Sequence, residues 1–195
     1  EVWIVSESLS RGSLADLEKP IDEDRLAYVL TSTLKGLRYL HEEIRIIHRD
    51  IKGLNVMISQ DGSIKIIDFG TCINIDDADK PKTLGTLHYM PPEVVLKRRV
   101  TAKADMWAVG AMALELLGAL PYRERNVKTM EELRMVYKEK VMPTYPSKIS
   151  DELKSFLDSC FKYNPEKRPS ASKLLAHPFL TKACDRQVFL DYKGL

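Results

Sequence analysis

Residues 48–55, His-Arg-Asp-Ile-Lys-Gly-Leu-Asn, and residues 68–70, Asp-Phe-Gly, decide how this chain is read. They place Asp50, Lys52, Asn55 and Asp68 on two loops. Between the loops lie two short β-branched runs, Val56-Met57-Ile58 and Ile64-Lys65-Ile66-Ile67, flanking Asp61-Gly62, which signals a hairpin. A hairpin brings its ends together, so the four polar side chains are expected to converge. Singly, each piece is ordinary; a lone aspartate in a turn is most often a local cap. Together they suit phosphoryl transfer, in which positioning and charge neutralisation dominate over covalent chemistry. One carboxylate can orient an attacking hydroxyl, and a lysine two positions on can offset charge on the moving group. An amide oxygen and a second carboxylate are hard ligands for Mg2+.

Working outward, Val2-Trp3-Ile4-Val5 reads as a strand running into the Ser-rich connector of residues 6–12. After Pro20, Leu26, Val29, Leu30, Leu34, Leu37 and Leu40 recur at helical spacing, predicting an amphipathic helix over 22–41. Ile44-Arg45-Ile46-Ile47 reads as a short strand. Residues 71–92 carry no periodicity and several Asp, Gly and Pro, the mark of a long functional loop. Helices are predicted over 104–117, 128–138, 151–160 and 170–176, the last capped by Ser170. The result is a mainly helical domain with one small hairpin.

At 195 residues the chain makes one compact unit, and 44% hydrophobic with 30% charged residues is a globular composition. Thirty basic against 28 acidic residues leave +2, which gives no reason to expect a nucleic-acid partner. Cys72, Cys160 and Cys184 are odd in number and widely spaced, which argues against a disulfide framework or a zinc site. The most apolar stretch, 106–120, is too short to span a bilayer and carries Glu115 in its middle, so no membrane span is expected. No segment of the sequence reads as a signal peptide, and the expected location is cytoplasmic or nuclear.

The two decisive stretches resemble the HRDxKxxN and DFG signatures of eukaryotic protein kinases. Further landmarks follow in that family's order. Residues 85–93, Gly-Thr-Leu-His-Tyr-Met-Pro-Pro-Glu, resemble GTxxYMAPE with Pro91 in place of Ala, and residues 105–110 resemble DxWxxG. Arg168, after Asn164-Pro165, resembles the arginine preceding the last helix. The resemblance implies a kinase large, C-terminal lobe of the α+β class, a helical bundle with a hairpin at its catalytic face. Residues 1–12 would be the last small-lobe strand and hinge. The lobe would span 13–180, with catalytic loop 48–55 and activation segment 68–93, followed by a tail over 181–195. It implies an ATP- and Mg2+-dependent serine/threonine kinase acting on protein substrates, with Asp50 as catalytic base and Lys52 contacting phosphate. Asn55 and Asp68 would hold Mg2+, and Thr86 would contact Asp50 and Lys52 in the acceptor site. Glu7 and Leu9 would meet adenine by backbone groups, with Ser6 as gatekeeper and Met57 under the base; Leu14 and Met57 read equally well as plain core. Glu93 with Arg168 resembles a buried ion pair, and Asp105 a residue that holds the catalytic loop. The wording is most like the sterile-twenty-like group, in particular the Cdc42/Rac-activated kinases. That points to an upstream kinase or a small-GTPase-linked regulator acting through other segments.

The chain departs from the family in two places. No two glycines lie closer than eight positions, so there is no Gly-rich phosphate loop, and nothing resembles a VAIK strand. With that half of the cleft absent, the isolated chain is expected to have very low or no activity. The alternative is an inactive kinase-derived binding or regulatory module. In the activation loop, Lys82 stands where the group places its phosphorylated threonine. Thr83 is one step nearer; phosphate there could pair with Arg49, or Asp76, Asp77 or Asp79 could substitute for it unmodified. The tail, with Val188, Phe189, Leu190 and Tyr192, reads either as packed on the domain or as a docking peptide.

Overall fold

A computed structural model describes residues 7–77 and 84–192. The Val2–Val5 run, Ser6, Asp79, Lys82 and Thr83 therefore lie outside the described residues. The periodic segment after Pro20 forms α1 (Glu23–Glu42). Asp22 caps it, its Oδ1 accepting from Arg25 N at 3.0 Å, and Glu23 and Asp24 put negative charge where the helix dipole favours it. Leu26, Val29, Leu30, Leu34 and Leu37 are buried on one face, as their spacing predicts.

The strand after α1 is shorter than expected. Only Ile46–Ile47 (β1) pairs, with Ile73–Asn74 (β4), a strand inside the segment whose sequence predicts a loop, because two residues carry no period. β2 (Val56–Ile58) and β3 (Ile64–Ile66) form the expected antiparallel hairpin with Met57 opposite Lys65. Its loop runs from Ser59 to Ser63, wider than a two-residue turn, because Asp61 accepts from the Ser59 and Ser63 side chains and from Ser63 N.

After α2 (Pro92–Val95), α3 (Lys103–Leu116) runs through the centre of the molecule. It is apolar all round, and 12 of its residues are buried, as an enclosed helix must be. α1 and α5 (Asp151–Cys160) pack on it. A Cβ at Gly110 would sit 2.7 Å from Cys160 Cβ, so the closeness of α3 and α5 depends on the missing side chain. Trp107 meets Phe161 and Tyr137 edge to face, at centroid distances of 4.9 and 5.8 Å. Tyr137 belongs to α4 (Met130–Lys138), capped by Thr129; the helix begins two residues later than predicted because this cap and Glu132 close its first turn.

Arg168 precedes α6 (Ala171–Leu175), which is not the last helix: α7 (Arg186–Leu190) follows. The tail packs on the domain. Phe189 is buried beside Tyr28 at 4.9 Å, Tyr192 Oη donates to Glu18 O at 2.7 Å, and Arg186 pairs with Asp61 at 2.8 Å. Leu14 is fully buried and is core. Among the described residues, no helix is long and apolar enough to cross a membrane.

Candidate active site

The site is built from α3 outward. Asp105 is fully buried in α3 and accepts three hydrogen bonds: His48 N at 2.9 Å and His41 Nε2 at 2.7 Å on Oδ2, and Arg49 N at 2.8 Å on Oδ1. Burial pushes its carboxyl towards protonation, but the His41 bond and the two amides outweigh burial and hold its pKa below 3.8. Two backbone amides tied to one fixed carboxylate set the start of the 48–55 stretch. Arg49 takes the left-handed conformation there, at φ 70°.

The second loop is laid against the first. Ile67 N donates to Asn55 O at 2.9 Å, Ile67 O is 3.0 Å from His48 Nε2, and the Phe69 ring stands edge-on to His48 at 5.5 Å. Asp68, the next residue, is exposed with φ 61°, its Oδ1 accepting from Gly70 N at 3.2 Å. Two non-glycine residues at positive φ, one on each loop, are strain held in place by this network.

Within that frame four side chains meet. Lys52 Nζ lies 2.8 Å from Asp50 Oδ2 and donates to Thr86 Oγ1 at 2.8 Å, and Thr86 Oγ1 donates to Asp50 Oδ1 at 2.8 Å. Asn55 Nδ2 donates to Asp50 O at 2.8 Å and to Asp50 Oδ2 at 2.9 Å. Burial would raise the Asp50 pKa, but the bonds from Lys52, Thr86 and Asn55 and the lysine charge together hold it below 3.8. Asp50 is thus a carboxylate at neutral pH, 8% exposed and fixed in direction. Thr86 reaches it because Gly85, at φ 119°, lets the chain pass Arg49 O; a Cβ there would lie 2.7 Å from that oxygen.

Two hard oxygen donors here are of the kind magnesium takes. Both Nδ2 bonds of Asn55 go to Asp50, which leaves its Oδ1 as the amide's acceptor, and Asp68, an exposed carboxylate, follows Ile67, whose N–H donates to Asn55 O; among the described residues the Asp68 side chain itself bonds only to Gly70 N. Among the described residues no cluster of three His, Cys, Asp or Glu could hold a metal unaided. Mg2+ usually takes one or two protein oxygens and completes its shell with phosphate and water, so two ligands suffice.

Other predicted residues fall in three places. Glu7 is exposed and pairs with Lys65 at 3.1 Å, across the hairpin from Met57; Leu9 and Met57 are half-buried. Residues 11–13 pair with β2: Arg11 N donates to Ile58 O at 3.3 Å, Ile58 N donates to Gly12 O at 2.9 Å, and Ser13 bridges Met57. Arg49 Nε donates to Thr71 O at 2.5 Å, and Asp76 pairs with Arg45 at 2.9 Å. The expected stand-in of Asp76 for phosphate on Arg49 is therefore not made, because β1–β4 pairing carries Asp76 to the nearer arginine. Glu93 and Arg168 form a buried pair at 2.8 and 3.2 Å, and Arg168 also donates to Lys103 O and Lys162 O and lies over Trp107.

Two contributors carry little or no signal in the sequence as site residues. Glu115 accepts from Gly53 N at 2.9 Å and lies 3.4 Å from Lys19 Nζ; its signal was a lone charge in an apolar helix. His41 had no sequence signal, since one histidine on an amphipathic helix is unremarkable.

The chain matches the protein kinase domain family over residues 1–180. It is 37% identical over 197 residues to the serine/threonine-protein kinase max-2 of Caenorhabditis elegans, covering 98% of this chain and 30% of that protein. Against serine/threonine-protein kinase PAK 1 of Mus musculus the identity is 38% over 189 residues, covering 92% of this chain and 34% of the relative. With shk1/pak1 of Schizosaccharomyces pombe it is 38% over 192 residues, covering 94% and 28%. The chain thus spans about a third of the length of these relatives. With the family matched over nearly its whole length, and with Asp50, Lys52 and Asn55 of the first signature gathered with Thr86 into one polar cluster, the chain belongs to the protein kinase domain family.

Proposed function

We propose that this chain supplies the large lobe and hinge of a protein serine/threonine kinase, with residues 1–12 as strand and hinge and 13–180 as the lobe. The contact among Asp50, Lys52 and Thr86 supports this most strongly. An ionised carboxylate, aimed by three neighbours, is suited to hold an acceptor hydroxyl by its hydrogen and to receive the proton as the new O–P bond forms. The lysine sits where it offsets charge on the transferred group. Because the Asp50 pKa is depressed, its first task is orientation; proton uptake comes late, in keeping with a loose transition state. When bound, magnesium–ATP supplies the phosphoryl group, and Asn55 and Asp68 would hold the metal. Thr86 and Lys52 line an acceptor site for serine or threonine of a protein substrate. Glu7, Leu9 and Met57 would border the adenine. Phosphate on Thr83 facing Arg49, and control by an upstream kinase or a GTPase-linked regulator through other segments, complete the proposal.

The test is phosphoryl transfer from ATP to matched Ser, Thr and Tyr peptides, run on the whole protein as it is made in the cell, since this segment by itself is expected to show very low or no activity. Transfer to Ser and Thr, reduced by about 10²–10⁴-fold in kcat by Asp50→Asn, is expected. A folded protein that transfers to none of them would favour the binding-module reading, and an Asp50→Asn variant of full activity would overturn the assignment.

A further inference from the structure

We propose that the groove bounded by the chain after α2, the C-terminal end of α4 and the 164–167 turn docks an acidic segment of the protein substrate. The proposal rests on the protein-kinase reading above. The groove has a volume of about 680 Å³, within the roughly 300–1,000 Å³ of ligand clefts and more than one inorganic anion fills. Three cations line it, Arg98 from one element and Lys138 and Lys140 from another, with no acidic side chain among the lining residues. None of the three is in an ion pair among the described residues, and Glu139, between the two lysines, pairs with Arg125 at 3.5 Å. The helix dipole accounts for two lysines at the end of α4. It does not account for Arg98, which comes from a different part of the chain to the same cavity. Leu96, Tyr163 and Pro165 supply apolar wall. Cations over such a wall complement a peptide of alternating carboxylate and aliphatic character.

The groove is tied to the acceptor site by its floor. Tyr137 Oη donates to Met90 O at 2.6 Å, and Met90 closes the 3-10 turn that Thr86 caps. Tyr163 Oη in turn donates to Tyr137 O at 2.6 Å. The lining includes none of Asp50, Lys52, Asn55 and Thr86, so a segment held here adds affinity for the whole substrate without touching the reacting atoms.

Fluorescence anisotropy of a labelled Asp/Glu-rich peptide and its Asn/Gln twin, without nucleotide, tests this independently of catalysis. Wild-type protein is expected to prefer the acidic peptide. The Lys138→Glu/Lys140→Glu double variant should weaken it about tenfold, and Arg98→Glu about threefold, while Lys35→Glu on exposed α1 surface stays within about twofold. Unfolding curves check each variant, and Arg98→Ala replaces the reversal should the latter disturb α2. Equal affinity for both peptides, equal losses from Lys35→Glu, or displacement of the peptide by equimolar inorganic phosphate would overturn the proposal. Such a failure would leave phosphoryl transfer untouched, and loss of transfer in Asp50→Asn with peptide binding intact would leave the groove untouched.

Discussion

At Asp50 desolvation and hydrogen bonding pull in opposite directions, and hydrogen bonding wins: the carboxyl stays below 3.8 although it is 8% exposed. A group whose native pKa is depressed stays charged above its unfolded value and protonates only as pH falls through the lower native one. The pH profile of kcat/KM should therefore show no acid limb from Asp50 between about pH 5 and 8, with loss beginning only below about pH 4. An acid limb near neutrality that vanished in Asp50→Asn would contradict this. Gly85 is the other residue-scale constraint. Gly85→Ala must place a Cβ 2.7 Å from Arg49 O at φ 119°. Left-handed backbone alone costs a non-glycine residue roughly 1–2 kcal/mol. We expect the segment to move away from Arg49, parting Thr86 from Asp50, with kcat/KM falling about tenfold or more.

Elements hold these residues through their ends as much as through their faces. α5 begins at Ser150, whose Oγ accepts from Leu153 N at 3.2 Å while its own N–H donates to Glu23 Oε1 of α1 at 2.7 Å. One residue thus caps a helix and fastens two helices together. Ser150→Ala removes the cap and the hydroxyl bond to Glu23, and should cost about 1–2 kcal/mol in urea unfolding with m unchanged. A change under about 0.3 kcal/mol would mean that water replaces both bonds. The helices were legible at this scale: 151–160 is found over the residues predicted, and α1 and α3 differ from prediction by one residue at each end. Their periodicity or apolarity is strong over ten or more residues, and Asp22, Ser150 and Ser170 sit at their caps. β4 was not legible. Its two residues gain strand character only by pairing with β1, Asn74 with Ile46 and Ile73 with Ile47, 28 and 26 positions earlier.

For the whole molecule, the Glu93–Arg168 pair joins α2, just after the Thr86 turn, to the chain before α6. Both side chains are about 1% exposed or less, and Arg168 spends its remaining donors on Lys103 O and Lys162 O. Arg168→Ala leaves a buried carboxylate and two carbonyls without that partner, which typically costs about 3–5 kcal/mol. At about 2–4 °C per kcal/mol for a chain of this size, Tm should fall by roughly 6–20 °C before any specific catalytic defect is seen. Unchanged thermal stability would remove the pair from the account. The tail is also decided at this scale. Val188, Phe189, Leu190 and Tyr192 suit docking or packing equally in sequence; the structure buries Phe189 against Tyr28, half-buries Leu190 and Tyr192 and leaves Val188 exposed, because Tyr28 offers a ring to Phe189 and Asp61 a carboxylate to Arg186.

The residue types of the site, their order, the helices and the central apolar span can all be read from a linear string, because periodicity, capping and motif spacing are local properties. The contacts Lys52–Thr86, Asp105–His41 and Gly53–Glu115 join positions 34, 64 and 62 residues apart. They exist only once α3 is enclosed and the hairpin has closed, since burial and long-range hydrogen bonding belong to the packed molecule and leave no period in the chain.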